Sequence, residues 1–325
     1  MASTSRSALI TGAGMLGAHT ARRLIDAGWH VTVVDRALQR DYLSDVLESD
    51  GVTLVEGDLL DDELLEALPV PDLVVHTAAL NAARAQADPL LAVDVNVRAT
   101  TRLALWAARG GASRFVAIST WGVHDMDAPG RLTVDAPLAP QHTSYYGATK
   151  MAMEEILGAV ASATRMRVVI FRPTVMYGYG PHLGGALGSF AVEAAVLTAM
   201  NGAPTVLPGN LLARTEMLYV DDAAAAIVAA ATLEEPTGFA RYLLGPQETT
   251  TADELAAALA RIFPDVPIRV DEGEGTMSPP SRDEPTDIAA TIAALGIDPP
   301  RTLEDGFLEF VRVLRAARSR QSPPA

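Results

Sequence analysis

Short apolar segments alternate with longer amphipathic segments through the first half of the chain. The apolar segments predict β-strands at residues 8–11, 30–35, 52–56, 73–76, 114–119 and 166–171. Between them, apolar residues recur at helical spacing and predict helices at residues 15–27, 90–109 and 145–161. Continuous apolar strands separated by helices are typical of a parallel sheet that is buried on both faces. We therefore expect an α/β fold, a Rossmann-type doubly wound parallel sheet.

Beyond Arg172 and Pro173 glycines cluster, which predicts a loop followed by a smaller substrate-binding lobe. We assign residues 1–177 to a nucleotide-binding domain and residues 178–315 mainly to the lobe. Later segments, at about 215–245, are expected to return to the first domain. The last residues, 316–325, predict a disordered tail.

The composition narrows the class of protein. With 49% hydrophobic residues, the chain of 325 residues can bury a large core. Its formal charge of −15 argues against binding to nucleic acid or to anionic lipid. The chain has no cysteine, and its six histidines lack metal-ligand spacing, so we expect no metal site. The polar N-terminus resembles neither a signal peptide nor a membrane span, which predicts a cytoplasmic protein.

The segment after the first predicted strand carries a phosphate-binding glycine pattern. It places Gly12, Gly14 and Gly17 in the pattern G-x-G-x-x-G, between a strand and a helix. The first glycine permits a tight turn, the second lets the backbone approach a pyrophosphate, and the third allows close helix–strand packing. Met15 and Leu16 open the helix, whose N-terminus attracts phosphate. The segment therefore predicts a dinucleotide site.

Asp35 indicates which dinucleotide binds. It ends the second strand, 18 residues after Gly17, where a carboxylate can bind the ribose hydroxyls of adenosine. The same carboxylate would repel the 2′-phosphate of NADP. Arg36 keeps the alternative open, because a guanidinium could accept that phosphate, although an exposed, solvated arginine is the simpler interpretation. We predict NAD, with NADP less favoured.

Tyr146 and Lys150 form a candidate acid–base pair. They stand at i and i+4 of a predicted helix and share one face, whereas Tyr145 lies on another. A nearby ammonium stabilises phenolate, so we expect Lys150 to lower the pKa of Tyr146 and to suit it to proton transfer. Lys150 is the single lysine among 25 basic residues. Because seven of 325 residues are tyrosine, this spacing would arise by chance in about 2% of cases. This favours a functional pair over an ordinary helix-surface pair.

With other motifs, these residues resemble the extended short-chain dehydrogenase/reductases, also called the NAD-dependent epimerase/dehydratase family. The resemblance extends to about Arg315 and is specific for the family but only weakly specific for a substrate. It rests on residues 11–17, Gly57-Asp58-Leu59, His76-Thr77-Ala78-Ala79, Asn96, Ser119-Thr120, residues 146–150, Arg172-Pro173, Tyr177-Gly178 and Tyr219-Val220-Asp221-Asp222.

The resemblance implies roles for individual residues. Thr120 would bond to the reacting oxygen, Tyr146 would be the general acid/base, and Lys150 would hold the nicotinamide ribose. The other implied cofactor contacts are Asp58 and Leu59 at the adenine, Thr77 and Ala78 along the groove, and Pro173 and Val175 beside the nicotinamide. Asn96 would be a structural or relay position in the long helix, Asp222 would be structural rather than catalytic, and His76 is interpreted as a core histidine. A homodimer is implied through residues 90–109 and 145–161, with Leu103 and Trp106 as candidates for its interface or for the monomer core.

Several positions depart from the family pattern. The glycine loop is one residue shorter than usual. Trp121 and Gly122 stand where dehydratases carry an acidic pair, which argues against water elimination. Val175 replaces an asparagine that is usual in nucleotide-sugar enzymes, and Arg214 is one residue out of register with their diphosphate-binding arginine. By position, five residues are candidates for the substrate pocket or for simple loop packing: Trp121, His124, His142, Tyr177 and His182.

The sequence thus predicts hydride transfer between NAD and a secondary alcohol or ketone of a sugar-like or other small polyfunctional substrate. An epimerase that keeps its NAD and acts on a sugar or nucleotide sugar is one alternative. A catalytically silent dinucleotide sensor is a second alternative, and the complete set of Thr120, Tyr146 and Lys150 argues against it.

Overall fold

The computed structural model describes residues 6–141, 144–181, 187–209, 214–233, 238–271 and 282–321. Its strands are β1 (Ser7–Thr11), β2 (His30–Asp35), β3 (Val52–Glu56), β4 (Leu73–His76), β5 (Arg114–Ile118), β6 (Arg167–Pro173), β7 (Val175–Tyr177), β8 (Thr205–Pro208), β9 (Met217–Tyr219), β10 (Phe239–Leu244) and β11 (Ile268–Asp271). Seven of them form a parallel sheet in the order β10-β6-β5-β4-β1-β2-β3. The predicted fold class is confirmed.

Helices cover both faces of this sheet. They are α1 (Met15–Asp26), α2 (Ser44–Leu47), α3 (Asp62–Ala67), α4 (Ala82–Ala87), α5 (Pro89–Val93), α6 (Thr100–Gly110), α7 (Tyr145–Ala163), α8 (Leu187–Met200), α9 (Val220–Thr232), α10 (Ala252–Ile262), α11 (Ala289–Leu295) and α12 (Leu303–Gln321). None of these described helices is both long enough and apolar enough to span a bilayer.

The sheet is held by apolar residues in register across its central strands. Ile10 of β1 lies opposite Val33 of β2 and Val75 of β4, and all three side chains are buried. From β1 the chain winds outward through β2 and β3, and from β4 it winds the other way through β5 and β6. The carboxyl ends of β1 and β4 therefore meet at the switch point, where sheets of this type bind ligands.

The helix predicted at residues 90–109 is divided into α5 and α6 by a π-helical segment, Asp94–Ala99. Within this segment Asn96 is buried and makes three hydrogen bonds. Its amide oxygen accepts from the backbone nitrogen of Leu80, and its amide nitrogen donates to the Leu80 carbonyl and to the Thr149 hydroxyl. The wider turn thus lets one side chain bind the loop after β4 to α7, which is a structural role for Asn96.

The second half of the chain forms two small sheets and also adds a strand to the central sheet. β8 pairs with β11, and β7 pairs with β9, in two separate two-stranded sheets. β10 adds to the edge of the central sheet beside β6, and α9 packs against α1. Residues far apart in sequence therefore build the central sheet and the helices packed against it.

The prediction of a disordered tail is wrong for residues 316–321, which continue α12. The reason is that the buried face of this helix continues past residue 315. Phe307, Phe310 and Leu314 are buried, and Ala317 extends the same face. Residues 322–325 lie outside the described part of the chain.

His76, at the end of β4, is a buried core histidine. Its Nδ1 lies 2.6 Å from the hydroxyl of Thr11, and its Nε2 lies 2.7 Å from the hydroxyl of Thr100. Burial, assisted by the positive charge of Lys150, lowers the pKa of His76 to about 3. The ring is therefore neutral in the folded protein at every pH above this value.

We predict that His76 makes the fold sensitive to acid. Below its ordinary pKa of 6.5 the unfolded chain binds a proton that the folded chain excludes. The free energy of unfolding should therefore fall by about 1.4 kcal/mol per pH unit between this value and about 3. Urea unfolding of His76→Gln at several pH values should show a smaller slope. His30→Gln, which changes an exposed histidine, is the control. Equal slopes in the two variants would contradict the prediction.

Candidate active site

The glycine loop after β1 has the shape of a phosphate cradle. Gly12 has a φ of +92°, and a Cβ atom there would lie 2.6 Å from the backbone nitrogen of Ala78. A Cβ atom on Gly17 would lie 1.8 Å from the carbonyl oxygen of Gly12, so α1 packs against the loop more closely than any side chain allows. At Gly14, in contrast, a Cβ atom would meet nothing within 4 Å. This position borders open space that a bound group can fill.

The first turn of α1 completes the cradle. Among the residues that the structure describes, no side chain caps its N–H groups, and the turn contains no acidic residue. The N–H groups from Met15 and Leu16 onward, together with the positive end of the helix dipole, are suited to bind an anion. The residues present therefore fit the pyrophosphate of a dinucleotide.

Asp35 is bonded to this loop. Its Oδ2 accepts a hydrogen bond of 2.6 Å from the backbone nitrogen of Ala13, and its Oδ1 accepts one of 2.9 Å from Ala37. Each oxygen keeps a lone pair that can accept from a ribose hydroxyl. The side chain of the neighbouring Arg36 is exposed. A fixed negative charge at this point disfavours a 2′-phosphate.

The rim of the groove is fastened by the residues after β4. The hydroxyl of Thr77 donates to the carbonyl oxygens of Thr11 and Gly12, each at 3.0 Å. The backbone nitrogens of Thr77 and Ala78 also donate to the carbonyl of Thr11. These hydrogen bonds from Thr77 and Ala78 therefore hold the glycine loop in place.

The remaining predicted cofactor residues follow other strands of the same sheet. Asp58 and Leu59 come after β3, where Oδ1 of Asp58 accepts from the backbone nitrogen of Leu60 at 2.9 Å. Pro173 ends β6 and Val175 opens β7, and both are buried. Among the described residues, no group of three or more histidine, aspartate or glutamate side chains could hold a metal ion.

The three predicted catalytic residues lie on neighbouring elements: Tyr146 and Lys150 on α7, and Thr120 at the start of the 3₁₀ turn Trp121–Val123, which packs against α7. The buried ammonium of Lys150 donates a hydrogen bond of 2.7 Å to the carbonyl oxygen of Ile118, the last residue of β5. The same nitrogen lies 5.6 Å from the centre of the Tyr146 ring. Two residues after Ile118, the hydroxyl oxygen of Thr120 accepts from the backbone nitrogen of Gly122 at 3.1 Å. The hydroxyl hydrogen of Thr120 can then be donated to a substrate oxygen.

The expected lowering of the Tyr146 pKa by Lys150 is absent from this structure. Burial raises the pKa of Tyr146 to about 12, because a phenolate would lose its hydration. Burial also lowers the pKa of Lys150 to about 8, although the negative charge of Glu154 opposes this shift. The ammonium donates to a backbone carbonyl, and its nitrogen lies 5.6 Å from the centre of the phenol ring.

Three of the candidate pocket residues are buried among other residues of the chain. Trp121 and Tyr177 belong to the hydrophobic core. His124 is also buried, and both of its ring nitrogens have hydrogen-bond partners. The other two candidates, His142 and His182, lie outside the described residues.

The sequence analysis missed a buried charged group behind the catalytic residues, which we call the Glu154 cluster: Glu154, Arg172 and Arg241. The carboxylate of Glu154 accepts two bonds from Arg172, at 2.9 and 2.6 Å, and one of 2.8 Å from Arg241. Burial would raise the pKa of Glu154, but the bonds and charge of Arg172 hold it below its ordinary value. Glu154 follows Tyr146 and Lys150 at successive spacings of four, a signal that could have identified it.

The fold and this site define a dinucleotide-dependent enzyme of the short-chain dehydrogenase/reductase type. The model of the NAD dependent epimerase/dehydratase family matches residues 8–245, and the chain belongs to this family. Family membership confirms the predicted enzyme class and NAD as the cofactor.

Three relatives of this chain have names that refer to different activities. The chain is 30% identical over 228 residues to a low-salt glycan biosynthesis protein of Haloferax volcanii, covering 67% of this chain and 71% of that protein. It is 30% identical over 190 residues, 55% of each chain, to a UDP-glucose 4-epimerase of Bacillus subtilis. It is 29% identical over 255 residues to a dTDP-glucose 4,6-dehydratase of Streptomyces antibioticus, covering 75% of this chain and 74% of that one.

Solved structures show the same fold at lower identity. An epimerase of Methanothermobacter thermautotrophicus is 23% identical with a TM-score of 0.79, over 97% of this chain and 95% of that one. A UDP-glucose 4-epimerase from Bifidobacterium longum, in complex with NAD+ and UDP, is 20% identical with a TM-score of 0.80, over 95% of this chain and 98% of that one.

We predict that Lys150 titrates near pH 8, below the ordinary lysine value of 10.5. Because the chain contains one lysine, lysine labelled with carbon-13 should give a single Cε signal whose shift can be followed by NMR. Glu154→Gln should lower the midpoint further, because the carboxylate raises the pKa of the ammonium. Glu155→Gln changes a more exposed neighbour and is the control. A wild-type midpoint near 10.5 would show that the ammonium is hydrated.

Proposed function

We propose that this enzyme transfers a hydride reversibly between NAD and a carbon that carries a secondary alcohol in a sugar-like substrate. The observation that carries the proposal is the placement of Thr120, Tyr146 and Lys150 on neighbouring elements at the sheet edge that also holds the glycine loop. A proton-transfer group, a hydrogen-bond donor and a cation therefore lie together at the edge that also holds a dinucleotide cradle.

Each side chain has a distinct part in this reaction. When bound, oxidised NAD supplies the hydride acceptor and a positive charge. As the alcohol is oxidised, its hydroxyl proton passes to Tyr146 in its phenolate form, and the phenol so formed returns that proton when the ketone is reduced. Because burial disfavours the phenolate, the positive charges of Lys150 and of bound NAD would be needed to form it. Thr120 donates a hydrogen bond to the reacting oxygen. Lys150 holds the nicotinamide ribose and adds positive charge beside the phenol.

The proposed cofactor contacts follow the groove from the pyrophosphate outward. They are Gly12, Gly14, Met15, Leu16 and Gly17 at the phosphates, Asp35 and Arg36 at the adenosine ribose, Asp58 and Leu59 at the adenine, and Thr77, Ala78, Tyr146, Lys150, Pro173 and Val175 toward the nicotinamide. The bonds of Asp35 to the loop and the open space at Gly14 support this assignment.

One observation favours an epimerase that keeps its NAD between turnovers. The carbonyl of Tyr179 accepts a hydrogen bond of 3.0 Å from Tyr42 and lies 3.2 Å from the ring nitrogen of His19 on α1. At the next residue, a Cβ atom on Gly180 would lie 3.0 Å from that of Met15. This segment therefore lies across the first residue of α1, next to the proposed pyrophosphate site. A covered site slows release, so the same carbon can be oxidised and then reduced again in place.

Sugar nucleotides are the first substrates to test, because relatives are named for UDP-glucose and dTDP-glucose. We propose that residues 178–315 mainly form the lobe that binds the substrate. Two positions argue for a site different from that of the nucleotide-sugar enzymes: Val175 is buried, and Arg214 is exposed and donates to the hydroxyl of Thr249. Gly122 has no side chain and Trp121 is apolar, so neither residue can supply the acidic group that dehydratases use here for water elimination.

We predict that the purified protein, once denatured, releases close to one equivalent of NAD. Incubation with UDP-glucose, dTDP-glucose and unlinked sugars, without added cofactor, should then give an epimer that proton NMR can identify. An empty site with turnover only on added NAD would favour a dehydrogenase that exchanges its cofactor. Bound NAD with no turnover on any sugar would support the silent sensor, and released NADP would overturn the assignment of Asp35.

In the same assay Tyr146→Phe should retain NAD and lose turnover by a factor of about 10² to 10⁴, the usual contribution of a general acid/base. Tyr145→Phe removes the hydroxyl of the adjacent, half-exposed tyrosine and is the matched control. Similar turnover in the two variants would remove Tyr146 from the proposal.

We also propose that the enzyme is a homodimer and works in the cytoplasm, where NAD is available. Large apolar side chains are exposed on the helices expected to form the interface, with Leu90 80% exposed, Val93 49% and Leu105 42%. Leu103 lies in the monomer core, and Trp106 packs partly against it. This burial supports the core alternative for Leu103, whereas Trp106 is only partly buried.

Light scattering should give the mass of two chains, and Leu90→Asp should shift it toward one chain because a charge would be buried at the contact. Leu308→Asp, at a residue 50% exposed on α12, is the control and should remain dimeric. A wild-type mass of one chain would refute the dimer.

A further inference from the structure

His124 is held by two hydrogen bonds that fix its protonation. It lies four residues after Thr120 and is buried. Its Nε2 lies 3.1 Å from Nη1 of Arg172, and its Nδ1 lies 3.0 Å from the carbonyl oxygen of Ala136. Because a guanidinium can only donate, Nε2 must be the acceptor and Nδ1 must carry the proton. The contacts therefore select one neutral tautomer and one orientation of the ring.

The charge around His124 agrees with a neutral ring. Burial and the positive charge of Arg172 both lower its pKa. A protonated ring would set two cationic donors against each other at hydrogen-bond distance. Arg172 can therefore serve as a rigid support for His124 only while the ring is neutral.

His124 also closes the turn that orients Thr120. This single 3₁₀ turn, Trp121–Val123, begins at Thr120, whose hydroxyl oxygen accepts from the backbone nitrogen of Gly122. It ends at His124, whose backbone nitrogen donates to the carbonyl of Trp121 at 3.0 Å. Because the turn is so short, a displacement of His124 moves Gly122 and redirects the Thr120 hydroxyl.

The other end of this chain of contacts is the catalytic helix. Arg172, which bonds to His124, makes two bonds to Glu154 on α7. Glu154 lies one helical turn beyond Lys150 and two beyond Tyr146. The contacts therefore connect the turn that holds Thr120 with the helix that holds the proton-transfer group.

We propose that His124 is a positioning residue that sets the direction of the Thr120 hydroxyl relative to Tyr146, through its bond to Arg172 and the Glu154 cluster. The inference rests on the proposed roles of Thr120 and Tyr146 in hydride transfer. An apolar residue could fill the same space, but it would leave Nη1 of Arg172 with only its 3.3 Å bond to the carbonyl of Val134.

Two substitutions separate the bond to Arg172 from simple packing. His124→Gln places an amide oxygen near the position of Nε2 and can still accept from Arg172. His124→Asn places an amide nitrogen near the position of Nδ1 and can donate only to Ala136. Both side chains are polar and smaller than or similar in length to histidine, so the pair controls for burial of an amide.

The assay is turnover of UDP-glucose, or of the panel sugar that the wild-type enzyme uses best. His124→Asn should lower kcat about 10²-fold, the loss typical of a misplacement near 1 Å, while His124→Gln should stay within about threefold of wild type. The Kd for NAD and the KM should change less than about twofold in both, because the cofactor groove is untouched. Equal kcat in the two variants, or a loss confined to KM, would overturn the proposal.

A second measurement on the unmodified protein needs neither a variant nor turnover. Nitrogen-15 NMR of labelled histidine should show His124 at pH 7 as the neutral tautomer with its proton on Nδ1. A proton on Nε2, or a charged ring, would overturn the proposal even if both variants failed to fold. If the wild-type enzyme turns over no sugar while this tautomer is present, the failure belongs to the proposed function.

Discussion

The buried ammonium of Lys150 is the constraint on which the rest of the site depends. A charge removed from water must be both bonded and balanced, or the fold is strongly destabilised. The carbonyl of Ile118 supplies the bond, and Glu154, one turn along the helix, supplies negative charge. Since Ile118 ends β5, the same bond fixes α7 to the strand that leads into Thr120. A planar guanidinium differs from an ammonium in reach and geometry. This difference gives a physical reason why the chain has a lysine at this position, whereas its other 24 basic residues are arginines.

The buried groups around Lys150 also need partners that balance their charges. Glu154 is buried, and it is held as a carboxylate by Arg172 and Arg241, the second of which also pairs with Glu155 at the surface. In the other direction, the ammonium contributes to keeping His76 neutral at the end of β4. Buried ion pairs of this kind add little net stability, because desolvation offsets their attraction. Their consequence here is geometric, since each bond fixes the direction of a side chain at the carboxyl edge of the sheet.

The features that could be predicted from the sequence are those determined by residues close together in the chain. Apolar runs located the first six strands to within two residues, and the steric demands of Gly12 and Gly17 defined the cradle. The pKa of Tyr146 could not be predicted from spacing, because it is set by the burial of the phenol in the folded chain. The burial of His124 likewise follows from its contact with Arg172, a partner 48 residues away.

The same limit applies to the long helix after β4. Its periodicity is continuous, and the π-helical segment within it is explained only by the bonds that Asn96 makes to Leu80 and Thr149. In each of these cases a buried polar group is bonded to a partner from a distant segment of the chain. The periodicity of apolar residues along the sequence does not predict which partner this is. The pattern of hydrophobic residues therefore predicts the fold, whereas the polar contacts of the site form between segments that only the complete fold brings together.

Asp35 shows how cofactor choice and loop shape are joined in this protein. The glycine loop is short, and it closes directly onto the carboxylate through the bond from Ala13. In the cofactor site that we propose, one negative charge therefore does two things: it fixes the loop that would face the pyrophosphate, and it would repel a phosphate on the adenosine ribose. A substitution that removed both carboxylate oxygens to admit NADP would also release the backbone nitrogen of Ala13 and loosen the loop at Gly12 and Gly14. Preference for NAD is thereby joined to the way the phosphate loop is built, and Arg36 lies exposed beside that loop.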